Sequence, residues 1–304
     1  MNPTAVRPVA VLAAACALLS SAACMVTVDS SEYTAREEKR FQVSGVPEVS
    51  LVTFDGSLEI RSWDRQEVLV EIEKRGPNQE QAEAIEVRAE QSGNVVRVEV
   101  KKPAGKTAGF LRQSSSARII ASMPRRSKVT ARTGDGSIKV ERIEGELDLN
   151  TGDGSVRGYD VAGTIRVHTG DGSIRMDHVD GAISVETGDG SARINGRLAA
   201  VSLVTGDGTV VVRADEGSVM AEEWAIRTGD GGVRLELPAG FAADLDASTA
   251  DGRIRLEGME GRGDPEEPAG DGERGRRSLK RTLAGGGKVL RVRTGSGTIT
   301  IGTS

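Results

Sequence analysis

Cysteine, histidine and aromatic residues are almost missing from this chain. It holds two Cys and two His in 304 residues, and aromatics make up 3%. Both cysteines, Cys16 and Cys24, stand near the N-terminus, so the body of the chain forms no disulfide. A zinc cluster lacks the ligands it needs. So few rings also argue against a large core built on Phe and Trp. A large excess of either charge is missing as well: Lys+Arg is 40, Asp+Glu is 45, and the net charge is −5. That balance is not the footprint of a nucleic-acid binder, so no nucleic-acid partner is expected. No cofactor is expected either. What is abundant is glycine, 39 residues, nearly twice the usual share. Such a composition fits a thin aliphatic core with many tight turns.

The first residues, MNPTAVRPVAVLAAACALLSSAACMV, read as an address. Arg7 gives a short positive start. Val9 to Leu19 is an apolar stretch of signal-peptide length, short for a membrane span. Small residues and then Cys24 follow, as in a bacterial lipoprotein signal, with Ser21 where an aliphatic residue is usual. Cys24 is therefore the expected lipidation site and membrane attachment. Ordinary export with cleavage after Ala23, or an uncleaved anchor, are the alternatives. Met25 is not the acidic residue that often retains lipoproteins at an inner membrane, which favours an outer-membrane lipoprotein; a periplasmic or secreted protein is the alternative.

The dominant feature is a repeat. Thr-Gly-Asp-Gly starts at Thr133, Thr151, Thr169, Thr187 and Thr205, every 18 residues, and returns at Thr228. Variants start at Thr249 and Thr294. Within one period, Ile138 and Val140 alternate with Lys139 and Glu141, and Leu147 and Leu149 alternate with Asp148 and Asn150. Period-two alternation means one buried and one wet face. Gly145, Gly163 and Gly181 mark a second corner, where glycine accepts positive φ. One period is thus two short strands and two corners. Such a coil buries too little to fold alone, so coils must stack in parallel as a solenoid. The expected fold is all-β, a parallel β-solenoid with coils of about 18 residues. The longer intervals read as outward bulges around Ala221–Trp224 and Pro238–Gly240.

The expected organisation is a signal peptide at 1–23, a polar tether at 24–40 and one solenoid domain at 41–304. That domain divides into irregular strands at 41–131, regular repeats at 132–258, a flexible insertion at 259–287 and a terminal coil at 288–304. Asn78–Ile85 is the expected short helix, and Asp55-Gly56-Ser57 the first corner.

The Thr-Gly-Asp-Gly-Ser-Ile motifs, the Leu-Pro-Ala-Gly-Phe stretch at 237–241 and the ending Gly285-Gly286-Gly287 to Thr294-Gly295-Ser296-Gly297-Thr298-Ile299 resemble a bacterial envelope family. The resemblance covers residues 40–304. It implies a parallel β-solenoid on an envelope protein that carries the label of adhesin without a defined ligand. It brings no catalytic motif.

Two columns of side chains are candidate sites. Asp135, Asp153, Asp171, Asp189, Asp207, Asp230 and Asp251 recur at the corners. They read as turn residues that accept backbone N–H bonds. The first five are also calcium candidates by analogy with glycine-aspartate rolls, although the nine-residue grammar of those rolls is missing. Paired-carboxylate glycoside hydrolysis is a third reading with little to carry it, because any ladder meets its spacing. The outward column Lys139, Arg157, Arg175, Arg193, Arg234 and Arg255 is the candidate binding face, broken by Val211. It reads as solubilising decoration or as a stripe for acidic polysaccharide, lipid headgroups or another envelope component. Glu141, Tyr159 and Asp177 lie beside it. His168 and His178 read as surface residues. No Ser-His-Asp order stands out, and Gly105-Lys106-Thr107 lacks the upstream glycine of a phosphate loop, since position 100 is Val. Arg262-Gly263-Asp264 is expected by chance in so Arg- and Gly-rich a stretch.

The expected function is that of a non-enzymatic cell-envelope scaffold or adhesin. An accessory of an envelope-stress system and a polysaccharide-active β-helix enzyme are the alternatives. The enzyme reading suffers from short coils and scarce aromatics.

Overall fold

The computed structural model describes residues 26–29, 32–102, 115–258 and 277–303. The signal segment and Cys24 lie outside them, as do Gly105-Lys106-Thr107, Arg262-Gly263-Asp264 and 259–276 of the expected insertion.

The fold is an all-β solenoid with one short helix, Gln79–Glu83. Asn78 caps that helix, its side chain accepting from the Gln81 N–H at 2.9 Å. Each coil crosses two walls. Inbound strands run into a Thr-Gly-Asp-Gly corner, and outbound strands leave it. Alternating aliphatic side chains from both walls meet in one core. In Val156–Thr169 the two strands are continuous through the second corner. Arg142, Asp160 and His178 occupy the left-handed region there at φ 55°, 51° and 57°, followed by Gly145, Gly163 and Gly181 with positive φ. Holding a non-glycine residue so costs about 1–2 kcal/mol, which the flanking ladders must outweigh.

Stacking follows sequence order only in the middle. From Lys128–Thr133 through Trp224–Thr228 each inbound strand pairs in parallel with the next. The repeat aligns Ile138, Val156, Ile174, Ala192, Val210, Val233, Ile254 and Ile299 as one column, and the first six are in register in that order, whereas Ile299 precedes Ile254. At the C-terminal end, Val289–Ser296 inserts between Trp224–Thr228 and Ala243–Asp251. Ile299–Thr303 likewise inserts between Val233–Leu237 and Ile254–Glu257. The last coil in sequence is therefore next to last in space. The N-terminal end mirrors this: Glu48–Thr53 lies between Val95–Lys101 and Lys128–Thr133, and Leu58–Trp63 between Ser116–Pro124 and Ile138–Glu141.

Antiparallel strands flank these ends. Glu32–Gln42 pairs with Glu67–Gly76, which pairs with Ser116–Pro124. The expected tether is thus a strand from Glu32 onward. It lacks apolar alternation because charge pairs support it instead: Arg36 with Glu73, Lys74 with Glu37, and Arg40 with Glu67. Residues 277–283 of the expected insertion are also a strand, antiparallel to Ala243–Asp251. Trp224, expected on an outward bulge, is fully buried and packs against Phe241 at 5.2 Å between ring centroids. The exposed part of that bulge is Ala221, Glu222 and Glu223.

The corners are held by threonine. Thr169 Oγ1 shares its proton between the carbonyls of Gly152 and Gly154, both at 3.0 Å, and accepts from the Gly172 N–H at 3.3 Å. The two carbonyl bonds recur at Thr151, Thr187, Thr205 and Thr228, and the glycine N–H bond at Thr228. Replacing Thr169 with Val keeps the shape and deletes the hydroxyl, so it is expected to cost about 1–3 kcal/mol. Thr169→Ser should recover most of that in thermal unfolding. A Val variant as stable as the parent would remove the hydroxyl from the account.

Candidate binding face

The outward side of the outbound wall carries the predicted basic column. Lys139, Arg157, Arg175 and Arg193 occupy successive rungs in register and are exposed, with a rung spacing of about 4.8 Å. Val211 interrupts the column before Arg234. The non-sequential stacking adds a correction: Thr300 lies between Arg234 and Arg255, so those two are not neighbours. The continuous stretch is the four rungs from Lys139 to Arg193.

Two residues further along each strand stands a second outward column, and it decides which cations are free. Lys139 pairs with Glu141 at 2.7 Å, and Arg175 Nε with Asp177 at 2.7 Å. Arg234 Nε meets Glu236 at 2.9 Å and its guanidinium reaches Glu257 at 3.9 Å. The hydrogen bond and charge of Glu236, then the charge of Glu257, raise the Arg234 pKa above its ordinary value. Arg157, Arg193 and Arg255 have no side-chain hydrogen bond or ion pair among the described residues. Exposed pairs of this kind are worth little to stability. Their consequence is for the local field, which is neutralised on some rungs and not on others.

Beside Arg157 the second column holds Tyr159 in place of a carboxylate. Tyr159 is 52% exposed, and its ring meets the His178 ring in an edge-on contact at 5.0 Å. A shallow cavity of about 200 Å³ lies here, lined by Lys139, Glu141, Arg157, Tyr159, Arg175 and Asp177. His178 is a surface residue, as its sequence suggests. Its backbone conformation, at the same corner phase as Arg142 and Asp160, places it against the tyrosine.

The Asp column is arranged differently from what turn chemistry suggests. Asp135, Asp153, Asp171, Asp189 and Asp207 are exposed in single file, and none accepts a hydrogen bond among the described residues. The corner groups bond instead to threonine hydroxyls and from glycine to glycine. Among the described residues no three His, Cys, Asp or Glu side chains gather so as to hold a metal ion. His168 lies on the inbound wall, its Nδ1 at 3.5 Å from Glu186. A second cavity, about 460 Å³, lies on that wall near Val204, Arg227, Ser248 and Arg293. Arg293 is engaged there by Asp246 and Ser248, both at 3.0 Å. Among the described residues no helix is long and apolar enough to cross a membrane.

Comparison with known proteins gives the fold a family. No curated protein matches the chain. A solved structure from Clostridium sporogenes, described as a "putative cell adhesion protein", shares 14% identity over 88% of this chain and 100% of its own, with a TM-score of 0.29. One from Bacteroides fragilis, described as a "putative adhesin", shares 11% over 91% and 98%, with a TM-score of 0.37. One from Parabacteroides distasonis, described as a "putative lipid binding protein", shares 13% over 88% and 96%, with a TM-score of 0.40. Residues 48–302 match Toastrack DUF4097, and the chain belongs to that family.

Proposed function

We propose that this protein is a non-enzymatic cell-envelope scaffold that binds anionic polymers along the basic column of its outbound wall. The observation that carries the reading is the uncompensated charge of Arg157 and Arg193 within four continuous basic rungs. A stack of hydrogen-bonded coils fixes the spacing of the strand positions that carry these groups, so a long ligand meets an evenly spaced row of charges. The signal-like N-terminal segment supports export, with lipid on Cys24 holding the solenoid to an outer membrane.

The test is binding of the protein to an array of acidic polysaccharides and anionic lipids at low and physiological salt. A variant with Arg157, Arg175 and Arg193 changed to Ser is compared. Salt-sensitive binding is expected, because exposed charges are screened beyond roughly 8 Å at physiological ionic strength. The variant is expected to lose at least about tenfold in affinity. Equal binding by both proteins, or none by the parent, would return the arginines to solubilising decoration.

A further inference from the structure

The rung of Arg157 differs from its neighbours in one respect. Where Lys139 has Glu141 and Arg175 has Asp177, Arg157 has the ring of Tyr159. The neighbouring carboxylates do not fill the gap. Glu141 is held by Lys139. Asp177 uses one oxygen on Arg175 Nε and the other on Asn195 Nδ2, both at 2.7 Å. Asn195 also accepts the His178 N–H at 3.0 Å, fixing the backbone of the residue whose ring meets Tyr159. The cavity of about 200 Å³ therefore holds an unpaired guanidinium beside a half-exposed aromatic ring that is supported on one side.

We propose that Arg157 and Tyr159 form a subsite for a sugar ring bearing a carboxylate, a uronate unit within an acidic polysaccharide. This deepens the basic-column reading and rests on it. The guanidinium fork matches a carboxylate in two parallel hydrogen bonds. The exposed ring offers an apolar surface for the C–H face of a pyranose, burying area that a bare charge contact would leave wet. A phosphate chain or a lipid headgroup without a sugar ring satisfies the arginine but gains little from the tyrosine ring. The rung therefore favours a charged sugar such as a uronate over charge density alone.

The test is calorimetric titration of the full-length protein with a galacturonate oligomer. A neutral galactose oligomer, inorganic pyrophosphate and phosphatidylglycerol vesicles serve as comparison probes. Variants are Tyr159→Ser, Tyr159→Phe, Arg157→Ser and Arg193→Ser. The galacturonate oligomer is expected to bind more tightly than the neutral one. Tyr159→Ser and Arg157→Ser should each weaken it at least about tenfold. Tyr159→Phe should stay within about threefold of the parent, because the ring and not the hydroxyl acts. Arg193→Ser should change it less than either. Galacturonate binding that is lost in Arg157→Ser and Arg193→Ser alike but unaffected by Tyr159→Ser would overturn the subsite and leave the basic column standing. Preference for pyrophosphate or vesicles over galacturonate would also overturn the subsite. Absence of binding to every anionic probe would overturn both readings.

Discussion

Truncation after Gly287 is expected to collapse the C-terminal end of the solenoid rather than trim it. In a strictly sequential stack the last coil is an end cap, and its loss breaks one interface. Here Val289–Ser296 and Ile299–Thr303 pair on both sides, so their loss breaks two. Leu290, Val292, Ile299 and Ile301 are fully buried, each worth about 1.5–3 kcal/mol. Leu245 and Ala247, buried in the strand beyond, would lose their parallel partner as well. Nearest-neighbour coupling makes a missing interior coil costlier than a missing terminal one. A fall in Tm of more than about 10 °C, or failure to fold, is expected. Cooperative unfolding close to the parent Tm would show that the order 224–237, 289–303, 243–257 is wrong.

The second large effect is expected at the corner glycines. A Cβ on Gly172 would lie 2.0 Å from the Gly154 carbonyl oxygen and 2.6 Å from Thr169 Oγ1. The obstacle is backbone of the coil beneath, which cannot rotate away as a side chain could. Gly172 is absent from the positive-φ residues, so close approach and not backbone conformation demands glycine here. Gly172→Ala is expected to cost about 3 kcal/mol or more, read in denaturant or thermal unfolding. Gly232 is the control, because its nearest neighbour would be 3.4 Å from an added Cβ. Gly232→Ala should cost less than about 1 kcal/mol. Equal effects at the two positions would refute the close-approach argument.

Much of this fold is legible in the chain because each coil repeats its own instructions. Alternation places Ile138, Val156 and Ile174 in one buried column, and Asn78 announces the helix. The order of coils at the ends is not legible for a physical reason. Ile254 and Ile299 belong to coils of nearly the same pattern, so alternation alone does not say which of them stacks on Val233. Strand Glu32–Gln42 is hidden because cross-strand ion pairs replace apolar alternation. The candidate face was half legible. The basic column shows in the spacing, and the break at Tyr159 shows as a ring among carboxylates. The edge contact with His178 does not show, since it depends on a left-handed residue at a corner phase that otherwise looks featureless. The threonine ladder shows as a repeat of Thr133, Thr151 and Thr169, but its bonds to carbonyls of the preceding coil need the stack itself.

The most direct measurement is NMR of the arginine Nε–Hε groups of the labelled protein as a galacturonate oligomer is added. The account predicts that the largest shifts fall on Arg157, with smaller ones on Arg175 and Arg193. Arg132, Arg166 and Arg227 on the inbound wall should stay still. Shifts spread evenly over both walls, or concentrated on Arg227 and Arg293, would contradict a binding face on the outbound wall.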